Sequence, residues 1–307
     1  MHITDWFSTT WNSVLGHKSS GIVDDFYWQP DQFISGYLSG NFDPNNTESF
    51  DYNVSPTDYN NLKGDDDLCV LNGMSFISGS GDHLGHPAFF ESDGSDDFIG
   101  SCSFAGGGYA SDFRADLGND FTISIWNAME ITNNSYVWSL GSPFGYFEGT
   151  NPGIALIVKG NGLELDIGSQ SSSKRFIIGE GPGEANTGEK HGLGALEDSR
   201  WYNFTFVYDS SNTNDEAYRF YINGVRERVY PPNPFRAGPD NFSGIGLQKV
   251  AIGAFIASTS TINISTEGHK FGHFHFYNRA LEHSKVRQNY LATNQYYYTP
   301  GSGYKIS

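Results

Sequence analysis

Hydrophobic and polar residues alternate along many short runs of this chain. Across residues 200–209, one set of alternate positions is wholly aromatic and the other is mixed: Tyr202, Phe204, Phe206 and Tyr208 against Trp201, Asn203, Thr205 and Val207. A period of two is typical of a β-strand whose two faces meet different surroundings. Residues 218–222 alternate in the same way and lead into Asn223-Gly224. Asn and Gly tolerate the positive φ of a two-residue turn, so the pattern predicts a tight hairpin with a returning strand over residues 225–230.

The same alternation extends over most of the chain. It predicts a strand over residues 121–126, a hairpin over residues 153–168 and a closing strand over residues 270–277. Only residues 280–291 predict a helix, since their apolar residues lie at helical spacing. Many short strands separated by turn residues indicate an all-β protein. We therefore expect a two-sheet antiparallel β-sandwich of the jelly-roll type, with one short C-terminal helix.

Charge narrows the range of partners. The chain of 307 residues has a formal net charge of −17, with 35 acidic residues against 18 Lys and Arg, and the basic residues form no cluster. Nucleic-acid binding depends largely on clustered basic residues, so no nucleic-acid partner is expected. No stretch is apolar and long enough to cross a bilayer, so no membrane insertion is expected either. The N-terminus does not have the pattern of a secretory signal.

The chain divides into three regions. Residues 1–32 form an arm in which aromatic residues occur without a period, and we expect Trp6, Phe7, Trp11 and Trp28 to anchor it to the domain or to a partner. The predicted jelly-roll domain spans residues 33–293, and residues 294–307 form a C-terminal tail. Two cysteines have no metal-type spacing, so they are either free thiols or one isolated bridge.

Five segments carry a family resemblance. They are YNNLKGDDDLCVLNGMSF (59–76), FFESDGSDDFI (89–99), DFTISIW (120–126), RWYNFTFVYD with RFYINGVRE (200–209 and 219–227), and FGHFHFYNRALEHSKVRQNYLAT (271–293). In this order the chain resembles the concanavalin A-like lectin/glucanase superfamily, in its laminin-G-like, pentraxin-like branch. The resemblance implies two antiparallel sheets in a jelly roll. The last segment is most similar to domains found in bacteriophage and other viral structural proteins.

Because that superfamily includes glucanases, an enzymatic function would require a pair of catalytic carboxylates in this chain. Glu164-Leu165-Asp166 resembles the start of a Glu-x-Asp-x-x-Glu motif, in which the first Glu is the nucleophile and the last is the acid/base. Gly168 and Ser169 stand where the last Glu would be. A retaining glycosidase needs both carboxyl groups. We therefore expect no enzymatic activity, and we expect Glu164 and Asp166 on the solvent face of a hairpin.

Two kinds of loop are candidate binding sites. Exposed aromatic rings beside polar groups suit sugars, and the carbohydrate candidates are Phe144, Tyr146, Phe147, Phe235 and Arg236. These rings would serve equally well at the sandwich edge or against a neighbouring subunit. Clustered carboxylates suit calcium, which takes several oxygen ligands. The metal candidates are Asp65, Asp66, Asp67, Asp93, Asp96 and Asp97, although Asp93-Gly94 is equally typical of a turn. No other cofactor is expected.

The histidines offer two further groups. His83 and His86 lie in a Gly-rich loop, whereas His273 and His275 share one face of the closing strand. The second pair would suit a metal or a pH switch, or it is simply the polar face of the sheet.

These observations favour a non-enzymatic virion structural protein of a phage-like virus, assembled in the host cytoplasm. Its lectin-like domain would face outward as a capsid decoration or an adhesion module. Its partners would be other virion proteins, further copies of the chain and surface glycans. A free carbohydrate-binding lectin module is the alternative, and a glycoside hydrolase is the third hypothesis.

Overall fold

A computed structural model describes the protein over most of its predicted domain. The described residues are 37–79, 87–105, 112–117, 120–129, 135–141, 153–159, 162–168, 173–178, 196–212, 217–227, 229–230, 246–256, 262–264 and 268–297. Strands are numbered β1 to β20 in chain order.

Sheet A contains eight antiparallel strands. In spatial order they are β15 (Val225–Glu227), β14 (Tyr218–Ile222), β13 (Trp201–Tyr208), β8 (Phe121–Ala128), β20 (Lys270–Tyr277), β5 (Phe89–Glu91) and β4 (Ser75–Ile77), and β1 (Leu38–Phe42) pairs with β20. β1 pairs with the end of β20 and β5 with its beginning, so both share one flank of that strand.

Sheet B contains ten antiparallel strands. In spatial order they are β16 (Val229–Tyr230), β12 (Ser173–Ile178), β11 (Gly162–Gly168), β10 (Gly153–Lys159), β9 (Ser135–Leu140), β17 (Leu247–Ile252), β6 (Phe98–Ser101), β3 (Leu68–Leu71) and β2 (Asp58–Tyr59), and β7 (Arg114–Asp116) pairs with β17. A short pair, β18 (Ala254–Ile256) with β19 (Ile262–Ile264), follows β17. A 3-10 turn, Cys102–Ala105, follows β6. The expected two-sheet sandwich is confirmed.

The predicted Asn-Gly hairpin is present between β14 and β15. Asn223 has φ 54° and Gly224 has φ 71°, which are the left-handed values that such a turn requires. The returning strand differs from the prediction, because residues 225–230 form two strands rather than one. Val225–Glu227 stays in sheet A beside β14, whereas Val229–Tyr230 pairs with β12 of sheet B. The chain therefore changes sheets at this corner.

Aromatic side chains fill the space between the sheets. Phe206 and Phe121 of sheet A lie with their ring centroids 5.8 Å apart, and Phe206 also meets Trp138 of sheet B at 6.4 Å. All three side chains are buried. Burial of one such side chain contributes about 1.5–3 kcal/mol, so this interior dominates the stability of the sandwich.

The described residues include one α-helix, α1 (His283–Tyr297), which covers the outer face of sheet A. It begins three residues later and ends six residues later than predicted. It begins late because residues 278–281 form a turn tied to β8, and the carbonyl of Glu282 accepts the first helical hydrogen bonds. It continues because its last turns pack on Trp126, whose indole N–H donates to the Thr293 hydroxyl at 2.8 Å. The Tyr297 ring stacks on Trp126 with a centroid distance of 4.3 Å.

Cys69 and Cys102 form a disulfide. Cys69 lies on β3, and Cys102 immediately follows β6, the strand paired with β3. Both residues are buried, so the bridge lies inside a small apolar cluster on sheet B. Of the two states left open by the sequence, the structure shows the single bridge.

Candidate functional site

An open cleft lies at one end of sheet A. It is lined by Tyr37, Asp120, Ser210, Asn278 and Arg279. These residues lie within two positions of the ends of β1, β8, β13 and β20, which are antiparallel neighbours, so the four strand ends meet on the same side. The cleft has a volume of 440 Å³, which lies within the range of small-molecule pockets.

Thr122 of β8 fixes the loop that forms one wall of the cleft. Its hydroxyl donates to the carbonyl of Arg279 at 2.8 Å and accepts from the N–H of Leu281 at 3.0 Å. The N–H of Asn278 donates to the carbonyl of Tyr37 at 2.9 Å. Thr122 is buried. The cleft side chains therefore extend from backbone that the sheet holds in place, as a preformed site requires.

Arg279 and Tyr37 form the aromatic and cationic side of the cleft. The guanidinium carbon lies 4.6 Å from the centroid of the Tyr37 ring, which is a cation–π distance. Tyr37 is 47% exposed, so much of its ring is open to solvent. Within the described ranges, Arg279 has no carboxylate partner. Its hydrogen-bond donors are consequently available to a ligand.

The opposite side of the cleft is polar. The backbone N–H and the hydroxyl of Ser210 both donate to the same oxygen of Asp120, at 2.7 and 2.6 Å. The second carboxylate oxygen of Asp120 is left to accept. The amide oxygen of Asn278 accepts from the Ser39 hydroxyl at 3.1 Å, so the amide NH₂ remains a donor. Donors and acceptors beside an exposed ring suit a ligand rich in hydroxyl groups.

Asp93, Asp96 and Asp97 lie in the loop between β5 and β6, and the structure brings them together. One ligand oxygen from each lies within 4.8 Å of the others. The loop is also a turn, because the carboxylate of Asp97 accepts from the N–H of Asp93 and the carboxylate of Asp93 accepts from the N–H of Ser95. Burial raises the pKa of Asp97, the hydrogen bond from the Asp93 N–H opposes this, and the carboxylates of Asp93 and Asp96 raise the pKa further. Calcium binding here stays a prediction.

The acidic loop and the cleft lie at opposite ends of sheet A. Glu91, which ends β5, is opposite Lys270 at the start of β20, whereas Arg279 follows the end of β20. A strand of that length spans about 26 Å at roughly 3.3 Å per residue. An ion in the loop would therefore not contact a ligand in the cleft.

The run of Asp65, Asp66 and Asp67 is arranged differently. Asp67 faces inward, where its carboxylate accepts from the N–H of Asn61 at 2.8 Å, whereas Asp65 and Asp66 are exposed. Within the described residues, the only close group of three possible ligands is the Asp93 loop. The structure does not bring these three carboxylates together.

Several predicted site residues lie outside the described residues. The carbohydrate candidates are among them, namely Phe144, Tyr146, Phe147, Phe235 and Arg236, as are the anchoring candidates Trp6, Phe7, Trp11 and Trp28 and the loop histidines His83 and His86. Their roles stay predictions.

His273 and His275 share the outer face of sheet A, as predicted, and α1 buries them. His273 forms a close ion-pair contact with Asp43. Burial alone would raise the pKa of Asp43, but His273 and hydrogen bonds from Asn45 hold it below its usual value. Burial and the neighbouring His273, opposed in part by Asp43, together lower the pKa of His275 to about 3. The pair forms a buried polar layer between sheet and helix.

The predicted solvent exposure of Glu164 and Asp166 is wrong. Glu164 is only 7% exposed and Asp166 only 4%. Both lie on the outer face of β11, opposite Ile157 and Ala155 of β10. Those two residues form an apolar cluster with Phe255 of β18. A segment after β17 therefore adds a layer over this side of sheet B, which alternation along β11 could not indicate.

Sequence reasoning missed the cleft, because its residues come from four separate parts of the chain. One local signal was available. Asn278 and Arg279 directly follow the closing strand, and residues that follow strand ends are where binding side chains concentrate. Nothing near Tyr37 or Asp120 indicates that these residues meet.

Among the described helical residues, no helix is long and apolar enough to cross a membrane.

No family model matches the chain, and no curated protein matches it by sequence. Solved structures do match. The ligand binding domain of botulinum neurotoxin serotype D, in complex with N-acetylneuraminic acid, matches with a TM-score of 0.53 and 12% identity, over 85% of this chain and 52% of that chain. The receptor binding domain of the botulinum neurotoxin C/D mosaic serotype matches with a TM-score of 0.52 and 11% identity, over 85% and 52%.

The binding domain of Paraclostridial Mosquitocidal Protein 1 matches with a TM-score of 0.50 and 13% identity, over 83% of this chain and 52% of that chain. This chain thus spans about half the length of the solved structures it matches. At such low identity the likeness shows the fold alone. The fold is a lectin-like β-sandwich.

Proposed function

We propose that this protein is a non-enzymatic carbohydrate-binding module that holds a glycan in the cleft at the end of sheet A. The observation that carries the proposal is the exposed Tyr37 ring with the Arg279 guanidinium, the Asn278 amide and the Asp120 carboxylate around it. Sugars bind through stacking on an aromatic surface combined with hydrogen bonds to fixed polar groups. The lectin-like fold supports the proposal, and one neighbour of that fold was solved with a sugar acid.

A glycan array tests this function. Purified protein, applied with calcium and with a chelator, should bind a defined set of glycans. Tyr37→Ala should weaken each positive signal about tenfold or more, because stacking and hydrogen bonding are lost together. Val54→Ala is the matched control, since Val54 is 80% exposed and is not part of the cleft. Silence on every glycan would refute the proposal. Binding that requires calcium would point to the Asp93 loop and would count against the cleft as the glycan site.

The absence of catalysis is part of the proposal. Glu164, which the sequence motif would make a nucleophile, is buried on sheet B and does not line the cleft. A glycosidase must place its two carboxyl groups on either side of the scissile bond. Incubation with laminarin and agarose should leave both polymers intact. Release of reducing ends that disappears in Glu164→Gln would overturn this part.

We further propose the virion as the place where the module acts. Residues 271–293 resemble the closing segment of phage structural domains, and the strongly acidic composition suits an outward-facing, soluble surface. The arm of residues 1–32 would anchor the domain to the particle or to sister copies. Cryo-EM of purified particles tests this placement, and particles that lack the protein would contradict it without affecting glycan binding.

A further inference from the structure

We infer that the cleft selects sugars that carry a carboxylate group. This inference rests on the proposed carbohydrate binding and specifies its ligand class. Arg279 supplies the reason. Its guanidinium is charged and exposed, and within the described ranges no acidic side chain forms an ion pair with it. A planar guanidinium matches a carboxylate with two parallel hydrogen bonds, which gives both affinity and geometry.

The Tyr37 ring prepares Arg279 for that contact. The guanidinium lies 4.6 Å from the ring centroid, so stacking restricts the side chain before a ligand arrives. The carbonyl of Arg279 is held by the Thr122 hydroxyl, so the backbone is also fixed. A preorganised donor loses less conformational entropy on binding than a free side chain does. The fixed guanidinium therefore favours specific hydrogen bonding to a carboxylate over nonspecific electrostatic attraction of anions.

Asp120 determines how an acidic sugar would lie. Its charge repels a carboxylate, so the acid group of the sugar points to Arg279 and hydroxyl groups point to Asp120. The two hydrogen bonds from Ser210 hold the Asp120 carboxylate in position. The NH₂ group of Asn278, beside Arg279, adds a neutral donor to the same wall. The cleft thus distinguishes the two ends of one sugar ring.

The overall charge strengthens the argument. The chain has a formal net charge of −17, so an acidic glycan is repelled at long range. Binding such a ligand requires a local cation, and Arg279 is the cation that lines the cleft. The contact acts at short range, beside the Tyr37 ring. Preference for the acid should therefore depend on this one residue.

Calorimetric titration with a matched ligand pair tests the inference. The probes are an oligosaccharide ending in a uronic or sialic acid and the same compound with its carboxyl group reduced to an alcohol. The intact protein should bind the acid about 10-fold to 100-fold more tightly, as expected for a charged hydrogen bond. Arg279→Gln should abolish that preference, because affinity for the acid should fall further than affinity for the reduced compound. Arg287→Gln, an exposed change of equal charge on α1, should retain the preference.

The outcomes separate the two proposals. Equal affinity for acid and alcohol, with both lost in Tyr37→Ala, would overturn the acid preference and leave carbohydrate binding standing. A preference that survives Arg279→Gln would overturn the role of this residue. Failure to bind either probe or any arrayed glycan would overturn both proposals. Circular dichroism and thermal melting of each variant verify that the fold is retained.

Discussion

The buried His275 should contribute a loss of folded-state stability in mild acid. His275 lies beneath α1 and is only 3% exposed, with the His273 ring 5.8 Å away between centroids. Burial lowers its pKa from 6.5 in a solvated state to about 3. A depressed histidine pKa means that the folded protein favours the neutral ring. Above pH 6.5 neither state is protonated, and the full stability is present.

The loss follows from proton linkage. Between pH 6.5 and pH 3 the unfolded chain binds a proton that the folded chain excludes, so the unfolding free energy falls by up to about 1.4 kcal/mol per pH unit. At pH 5 the loss is about 2 kcal/mol, and at pH 4 it is about 3 kcal/mol. Asp43, whose pKa is held below its usual value, adds a loss only under more acidic conditions. Burial raises the pKa of Glu227 to about 7, so this carboxyl adds stability as the pH falls through the same window. The histidine contribution is therefore isolated by comparing a His275 variant with the unaltered protein.

Urea denaturation at pH 7 and pH 5 measures this effect. The quantity compared is the change in unfolding free energy between the two pH values, because the variant also changes stability at neutral pH. In His275→Gln that change should be smaller by about 2 kcal/mol. His283→Gln is the control, since His283 is an exposed histidine on α1. The same pH dependence in His275→Gln and the unaltered protein would refute the reasoning.

Three further changes test the packing around the sheets. Gly272→Ala would place a methyl group against the Tyr297 hydroxyl, so overpacking should cost about 1–3 kcal/mol in urea denaturation, and an unchanged midpoint would contradict this contact. Replacing Cys69 and Cys102 by Ser removes a crosslink between residues 33 positions apart, so the unfolding free energy should fall by about 4 kcal/mol. Equal unfolding free energies for the variant and the unaltered protein would contradict a stabilising bridge. Thr122→Val removes the hydroxyl that fixes the loop after β20. It should lower stability by about 1–3 kcal/mol and weaken glycan binding in calorimetry, and full affinity would show that the loop needs no such support.

Local pattern was sufficient to predict the sheets. Alternation over residues 200–209 predicts which side chains face inward, because a strand reverses its side chains at every residue. Asn223-Gly224 predicts the hairpin, because few residue pairs adopt its backbone angles. The shared face of His273 and His275 follows from the same period. These features depend on neighbours in sequence, so the sequence displays them directly.

Features that depend on a third layer could not be predicted in this way. Glu164 alternates with apolar residues as a solvent-facing residue would, yet the segment around Phe255 adds a layer over that side of sheet B. Residues 292–297 lack a strong apolar face, yet the helix continues there because Tyr297 stacks on Trp126. In each case a distant part of the chain covers the surface. Alternation within one strand or helix contains no information about that cover.

The cleft was unpredictable for a related reason. Its lining residues precede or follow four strands that are far apart in sequence and adjacent in the sheet. Only the order of strands brings Tyr37 to Arg279. The sugar-binding candidates in the sequence are local aromatic clusters, which is a different arrangement. A site assembled from single residues on several loops becomes visible only once the topology is known.

A structure of the protein with a glycan bound tests the central claim most directly. We expect density for a terminal sugar against the Tyr37 ring, with its acid group within hydrogen-bonding distance of the Arg279 guanidinium and a hydroxyl within reach of Asp120. A glycan bound instead at the opposite end of sheet A, in contact with the loop of Asp93 and Asp97, would contradict the account.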